Sequence, residues 1–352
     1  MNLRDFLKNG TPQGFQGKAL TCVPSDHDRN DFKYAKLLAN VGLIPDSGGP
    51  IDYRPNMPPV FNQEKRGSCV SASSAWGPKA FAEINEGDFP SSGLSAAFLH
   101  AMCKSVDGNP NEEGTQPRIA LKVLQKYGIC PEEWMPYWML TNLPSPQVPP
   151  IPTIAMEKAA KFKIDSYAQL AGTMDVSRDN LIPTIRQALL REGPIVVAGL
   201  VCSNFVPDEN GVIPLPQGQI QGSHQYVFAG HLPEQRHFIM RNTWGRKWGI
   251  DGYSYMHEDW LTAHTHIADV GVMYYIFEMW TQTDIVTPKT TSCIEITPDS
   301  PCVIVDGAEV MLDQPAFTTA KGRVVLPIRA IAGNMGYLVS WRDGKAILTK
   351  PN

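Results

Sequence analysis

Hydrophobic side chains recur at two different spacings along the chain, and the change divides it. In "SCVSASSAWGPKAFAEINEG" (68–87), Ala75, Trp76, Ala80, Phe81 and Ile84 follow helical spacing and the run closes on Gly87, which predicts a helix. "LSAAFLHAMCKSV" (94–106) and "TQPRIALKVLQKYG" (115–128) predict two more, the second with Pro117 near its first turn and Gly128 at its stop. "RDNLIPTIRQALLREG" (178–193) predicts a further helix ending at Gly193. Beyond it the pattern changes to β-branched and aromatic runs broken by Gly, Asn and Pro: "PIVVAGLVC" (194–202), "HQYVFAGHL" (224–232), "HFIMRNTW" (237–244), "DGYSYMH" (251–257) and "VGVMYYIFEM" (270–279). Helices followed by antiparallel strands predict an α+β protein of two lobes, with a cleft between them as the place for a site.

The flanks differ from this centre. Residues 1–50 are polar apart from the amphipathic patch "DFKYAKLLANVGL" (31–43), and are too short for a core of their own. They read as an N-terminal extension that packs on something else. "PEEWMPYWMLTNLPSPQVPPIP" (131–152) predicts a long irregular crossing, and "TQTDIVTPKTTS" (281–292) has linker composition. After it, Asp306-Gly307 and Asp343-Gly344 each lie between alternating runs, a hairpin signal, with a short helix expected in 323–337. The expected boundaries are 1–50 for the extension, 51–283 for the main domain, 284–296 for the linker and 297–352 for a small β-rich module.

Composition narrows the function classes. The 352 residues are 43% hydrophobic and 19% charged, enough to bury a core, and a net charge of −4 offers no long-range attraction to nucleic acid or an anionic membrane. No apolar run reaches membrane-spanning length, and "MNLRDFLKNGTPQGF" has no apolar core of a Sec signal. Seven cysteines fit one free thiol plus three bridges, or seven reduced thiols; Cys293 and Cys302 are candidates for closing a short loop.

One cysteine stands apart. Cys69 lies where loop chemistry gives way to small helix-compatible residues, and three separated stretches supply what a nucleophilic thiol needs: "NQEKRGSC", "GSHQYVFAGH" and "RNTWGRKWGIDGY". A thiol attacks a carbonyl as thiolate, which a helix N-terminus and an imidazolium both stabilise. His224 would hold the proton and return it to the leaving amine. Asn242 would accept the other ring N–H and fix the tautomer, and Gln63 with the Cys69 backbone N–H would bind the developing oxyanion. His264-x-His266 near His257 lacks a Cys or carboxylate partner pattern, so no metal is expected there.

In the order Gln63, Cys69, His224, Asn242, the chain resembles the papain family of cysteine peptidases over about residues 51–280. The six-residue step from Gln63 to Cys69 and the N-[ST]-W-G-x-x-W-G-x-x-G-Y text carry the likeness. The resemblance implies a helical lobe and a β-barrel-like lobe, an extended polypeptide as substrate, an acyl-thioester intermediate, and Trp244 shielding the His–Asn contact. Arg66 replaces a common disulfide cysteine, Val70 a usual Trp, and Gln225 a small residue; the last two alter the cleft floor. Residues 22–60 are similar to the lead-in of bacterial members, so 1–50 is expected to lie across or near the cleft and restrain activity; the family resemblance implies no metal or organic cofactor. Gly322 to Arg329 resembles the core of the copper amine oxidase N-terminal domain-like repeat, without implying copper. That likeness implies attachment to a cell wall or envelope through 297–352, hence an extracellular or envelope location. Two other readings stand beside hydrolysis: a weakly active or inactive binding scaffold of an envelope or phage particle, and acyl transfer to an amine.

Overall fold

The computed structural model describes residues 3–10, 14–28, 31–173, 175 and 178–284, with the backbone of seven strands between 293 and 349. The chain forms two compact units, 1–285 and 286–352. The first begins with α1 (Leu3–Gly10), the small hairpin β1 (Gly14–Phe15) and β2 (Lys18–Ala19), then α2 (Tyr34–Val41) and β3 (Ile51–Asp52). The expected extension is therefore built into the unit: Leu20 and Tyr34 are fully buried, and both belong to the core that contains Phe228.

The helical part follows: α3 (Cys69–Ser74), α4 (Ala80–Glu86), α5 (Ala96–Val106), α6 (Pro117–Lys126), α7 (Trp138–Thr141) and α8 (Thr153–Ala159). Ser95 caps α5 by accepting from the Phe98 N–H, and Pro117 opens α6. The helix expected over 68–87 is broken: between α3 and α4 the backbone leaves helical angles at Gly77, just before Pro78. Pro78 has no N–H for the helical ladder and restricts the residue before it, and glycine at 77 meets a second need, close approach to a strand. A Cβ on Gly77 would lie 2.5 Å from Val227 Cγ2, so only glycine lets the helix come this near. Beyond the kink, the buried Lys79 ammonium pairs with Glu83 and Asp284 at 2.5 and 2.7 Å, tying the helix to the last strand of the unit. Losing one member of such a buried group costs about 3–5 kcal/mol.

After β4 (Ile164–Ala171) and α9 (Leu181–Glu192) come β5 (Ile195–Cys202), β6 (Val212–Ile213), β7 (Ile220–Leu232), β8 (His237–Arg241) and β9 (Tyr253–His257). The hairpin β10 (His264–Ile267) and β11 (Gly271–Tyr274) precedes β12 (Ile276–Asp284). One eight-stranded sheet runs β4-β12-β5-β7-β8-β9-β6, with β3 on β7, and its β6–β9 pair is parallel. The sheet explains the unbroken apolar runs. Along β5, Val196, Ala198 and Leu200 enter the core shared with the helices, while Ile195, Val197 and Val201 enter a second core on the other face. The strand expected over 270–279 is two strands in different sheets. Tyr275 separates them, its N–H on Ala263 O and its carbonyl taken by Leu200 N–H.

In the second unit, β13 (Cys293–Ile296), β14 (Cys302–Val305), β15 (Ala308–Met311), β18 (Leu338–Arg342) and β19 (Lys345–Thr349) form a five-stranded antiparallel sheet, and β16 (Phe317–Thr318) pairs with β17 (Val324–Val325). Two expectations meet this backbone. The stretch 284–296 contains β13, hydrogen-bonded on both sides, so its end belongs to the sheet. Ile296 faces Val303, which sets Cys293 and Cys302 four residues out of register, roughly 13 Å along the strands. That exceeds the Cα separation a disulfide spans, so they do not close the loop. The turns at 306–307 and 343–344 and the helix expected in 323–337 lie outside the described residues.

Candidate active site

Gln225 and Val227 stand two apart and so on one face of β7, and both meet the helix that starts at Cys69. The Gln225 side-chain amide donates to Val70 O at 3.2 Å, Ser73 Oγ at 2.7 Å and Ser74 Oγ at 3.1 Å. The glutamine that replaces a small residue is thus a stitch between strand and helix. It occupies the region beside Val70, which is itself buried.

This docking brings Cys69, His224, Asn242, Gln63 and Trp244 together. His224 Nε2 donates to Asn242 Oδ1 at 2.8 Å, and the Thr243 N–H donates to the same oxygen at 2.7 Å, fixing the amide's orientation. With Nε2 engaged, Nδ1 is the ring nitrogen left for sulfur and has no other partner among the described residues, and His224 acts on the Cys69 thiol to favour its anion. The Trp244 ring centroid lies 4.8 Å from that of His224, with the two rings tilted by 35°. Gln63 Oε1 accepts from Thr243 Oγ1 at 2.6 Å, and its Nε2 donates to Arg66 O at 2.9 Å and Ala19 O at 3.4 Å. Arg66 forms a buried pair with Glu113 at 3.0 Å, and its guanidinium reaches the carbonyls of Leu140, Leu143 and Gln147. Where the family pattern has a covalent bridge, this chain has an ionic one.

Burial alone raises a thiol's pKa, yet Cys69 is held well below the ordinary value. Hydrogen bonds from Cys22 and His224, the charge of His224 and the Gln225 N–H together outweigh desolvation. An anionic sulfur beside a cation, with an amide N–H₂ nearby, can attack a carbonyl and bind the oxygen that becomes negative.

The sequence reading missed how completely residues 15–25 run through this site. Phe15 packs 6.3 Å from Trp244, and Lys18 Nζ donates to Asn62 Oδ1 at 2.7 Å. Ala19 O meets Gln63, Thr21 Oγ1 donates to Gly67 O at 3.3 Å, and Cys22 N–H donates to Ser223 O at 3.1 Å. Val23 N–H reaches Thr115 O at 2.9 Å, and Ser25 N–H reaches Glu278 Oε2 at 3.0 Å. Gly67 and Gly114 make room: a Cβ on either would lie 2.2 Å from Thr21 Oγ1 or 1.8 Å from Thr21 O. Beneath this segment Cys69 has no exposed surface. Thr243 had a signal, the [ST] of the motif; Cys22, 47 positions from Cys69, had none.

Among the described residues, no group of three or more His, Cys, Asp or Glu side chains is arranged to hold a metal, and no helix is long and apolar enough to cross a membrane. His264 and His266 are exposed on β10.

The family model of papain family cysteine proteases matches residues 48–287, and that of the copper amine oxidase N-terminal domain matches 279–349. Since the first spans more than half of the chain, the protein belongs to the papain family and is a cysteine peptidase. It is 31% identical over 238 residues to the uncharacterized peptidase C1-like protein L477 of Acanthamoeba polyphaga mimivirus, covering 64% of this chain and 74% of that one. A cathepsin B-like protein, CP2 of Giardia intestinalis, is 37% identical over 75 residues, 20% of this chain and 25% of that one. In fold it is similar to xylellain, a cysteine protease from Xylella fastidiosa, with TM-score 0.60 and 24% identity over 78% of this chain and 97% of the other. It also resembles proCathepsin B S9 from Trypanosoma congolense, with TM-score 0.51 and 18% identity over 79% and 87% of the two chains.

The lowered Cys69 pKa has a direct consequence. A depressed thiol keeps its thiolate as pH falls below the usual range near about 8.5. The ultraviolet thiolate absorbance that wild type shows over Cys69→Ser should therefore persist into mildly acid solution. In His224→Ala it should appear only under alkaline conditions. An identical titration in the presence and absence of His224 would contradict the pairing.

Proposed function

We propose that the chain hydrolyses peptide bonds through Cys69, His224 and Asn242, with an acyl-thioester on Cys69 as intermediate. The observation carrying this reading is the joined set: the sulfur held as anion, the ring oriented by Asn242 Oδ1 at 2.8 Å, and the Gln63 amide locked by Thr243 at 2.6 Å. Cys69 attacks the scissile carbonyl, Gln63 Nε2 and the Cys69 N–H bind the oxyanion, and His224 protonates the departing amine. Water then enters the vacated leaving-group position, gives its proton to His224 and releases the acid. Trp244 keeps solvent from the His–Asn hydrogen bond, and its neutral partner Asn242 does not compete for the proton.

The same surface is the basis for a restraint. Residues 19–25 use the Gln63 amide, Ser223 O and Thr115 O, groups that an extended polypeptide would also need. The N-terminal segment therefore competes with substrate, and the chain as given is a zymogen-like form. The 297–352 module contributes no residue to this chemistry and serves as a tether to a cell wall or envelope. The buried Cys69 and the filled cleft floor at Gln225 favour a second reading, a peptidase-like scaffold that binds polypeptide without turnover.

Three measurements separate these readings. Cys69→Ala should abolish peptide turnover, Gln63→Ala should reduce it about 10²–10³-fold, and Asn242→Ala should cost far less than His224→Ala. Equal losses at 224 and 242 would contradict the roles, and a Cys69 that never takes up a peptide epoxide would favour the scaffold. Thr21→Trp, too large for the space at Gly67 and Gly114, and Leu20→Asp should each raise turnover at least about tenfold by expelling the segment. Unchanged rates in folded variants would end the restraint. For the tether, the full chain but not residues 1–285 should cosediment with isolated cell wall; equal sedimentation of both rules it out.

A further inference from the structure

The segment that crosses the cleft places a second cysteine against the nucleophile. The Cys22 N–H donates to Ser223 O, and Ser223 Oγ returns a hydrogen bond to Cys22 O, so residue 22 is clamped on both sides of its peptide by the neighbour of His224. Thr21 Oγ1 is bonded to Gly67 O, two residues before Cys69. Cys22 and Cys69 are buried in one apolar cluster, near enough that each thiol acts on the other's ionisation. A 200 Å³ cavity lined by Leu7, Thr21, Cys22, Glu113 and Ser223 reaches Cys22 from the side. Cys69 does not line that cavity and has no exposed surface, so a hydroperoxide meets it when the segment opens transiently. Cys103, Cys130 and Cys202 are also buried and free, but do not act on the Cys69 thiol.

We propose that Cys22 is a resolving cysteine for the nucleophile: when a hydroperoxide oxidises Cys69, Cys22 captures it as a Cys22–Cys69 disulfide that locks the N-terminal segment in the cleft until a thiol reduces it. This rests on the reading of residues 15–25 as a cleft-bound restraint. The chemistry balances. The Cys69 thiolate attacks one peroxide oxygen, the O–O bond breaks, and the departing hydroxide takes the His224 proton to become water, leaving a sulfenic acid on Cys69. Cys22 then attacks that sulfur while passing its proton to His224. The S–O bond breaks, and the second hydroxide takes that proton to leave as water. Two thiols are oxidised and one peroxide is reduced to two waters. Burial pushes the Cys22 thiol well above its ordinary pKa while Cys69 is held below, so the first attack on peroxide falls to Cys69 and not to its neighbour.

The function of such a pair is protection as much as inhibition. An unresolved sulfenic acid goes on to sulfinic and sulfonic acids, which thiols do not reverse, whereas a disulfide returns to two thiols. The lock also makes activation depend on reduction: thermal opening of the segment frees the cleft in a reducing setting but not in an oxidising one.

The test exposes the full chain to hydrogen peroxide, alkylates remaining thiols and maps peptides without reduction. Wild type should yield a peptide pair joined through 22 and 69, and dithiothreitol should restore most of its Cys69 reactivity. Cys22→Ser and Cys22→Ala should lack the joined pair and lose Cys69 reactivity irreversibly, at least about tenfold more than wild type after reductant. Absence of the 22–69 pair in wild type, or the same irreversible loss in all three proteins, overturns the proposal. Failure of the underlying restraint is read separately, from Thr21→Trp in reductant, where no disulfide contributes.

Discussion

Everything at the site depends on one packing contact, that of the helix beginning at Cys69 with strand β7. Gly77 allows the approach, because any side chain there would collide with Val227, and Gln225 fastens it through Val70 O and Ser73 Oγ. The two chemical partners are 155 positions apart in the sequence, and no local interaction holds them. The sheet that carries His224 is buried on both faces, with separate cores above and below, so it is a stiff wall on which a few tenths of an ångström are held. A thiolate–imidazolium pair needs that stiffness, since its stabilisation falls quickly with distance and with entry of water.

The first fifty residues belong to the same design. They add a small hairpin, two helices and one extended segment to the unit, and the extended segment takes up donors and acceptors near Cys69. On the proposed reading, reactivity and restraint draw on one set of groups: the Gln63 amide donates to Ala19 O, and Ser223 O takes the Cys22 N–H. The second unit is built of paired strands.

Much of this was legible in the chain. Period-3.6 and period-2 runs located α5, α6, α9, β5 and β7, because each buries a continuous face, and the Gln, Cys, His and Asn stretches pointed to side chains that the fold brings together. Three things were not legible. The close approach of Val227 that requires glycine at 77 is a tertiary contact that helix periodicity does not contain. The break at Tyr275 divides one apolar run between two sheets through backbone bonds to Ala263 and Leu200, both distant in sequence. The path of residues 15–25 and the meeting of Cys22 with Cys69 are properties of the folded cleft, since polar, glycine-rich text such as "KNGTPQGFQGK" gives no periodic signal. The possible loop between Cys293 and Cys302 looked reasonable by spacing and fails by register.

The most direct test of the account is a crystal structure of the reduced full chain, read for one distance and one chain path. Cys69 Sγ should lie within hydrogen-bonding reach of His224 Nδ1, with Ala19 to Val23 laid over the pair. Sulfur and ring nitrogen more than about 6 Å apart, beyond any hydrogen bond, with residues 15–25 docked elsewhere, would contradict both halves of it.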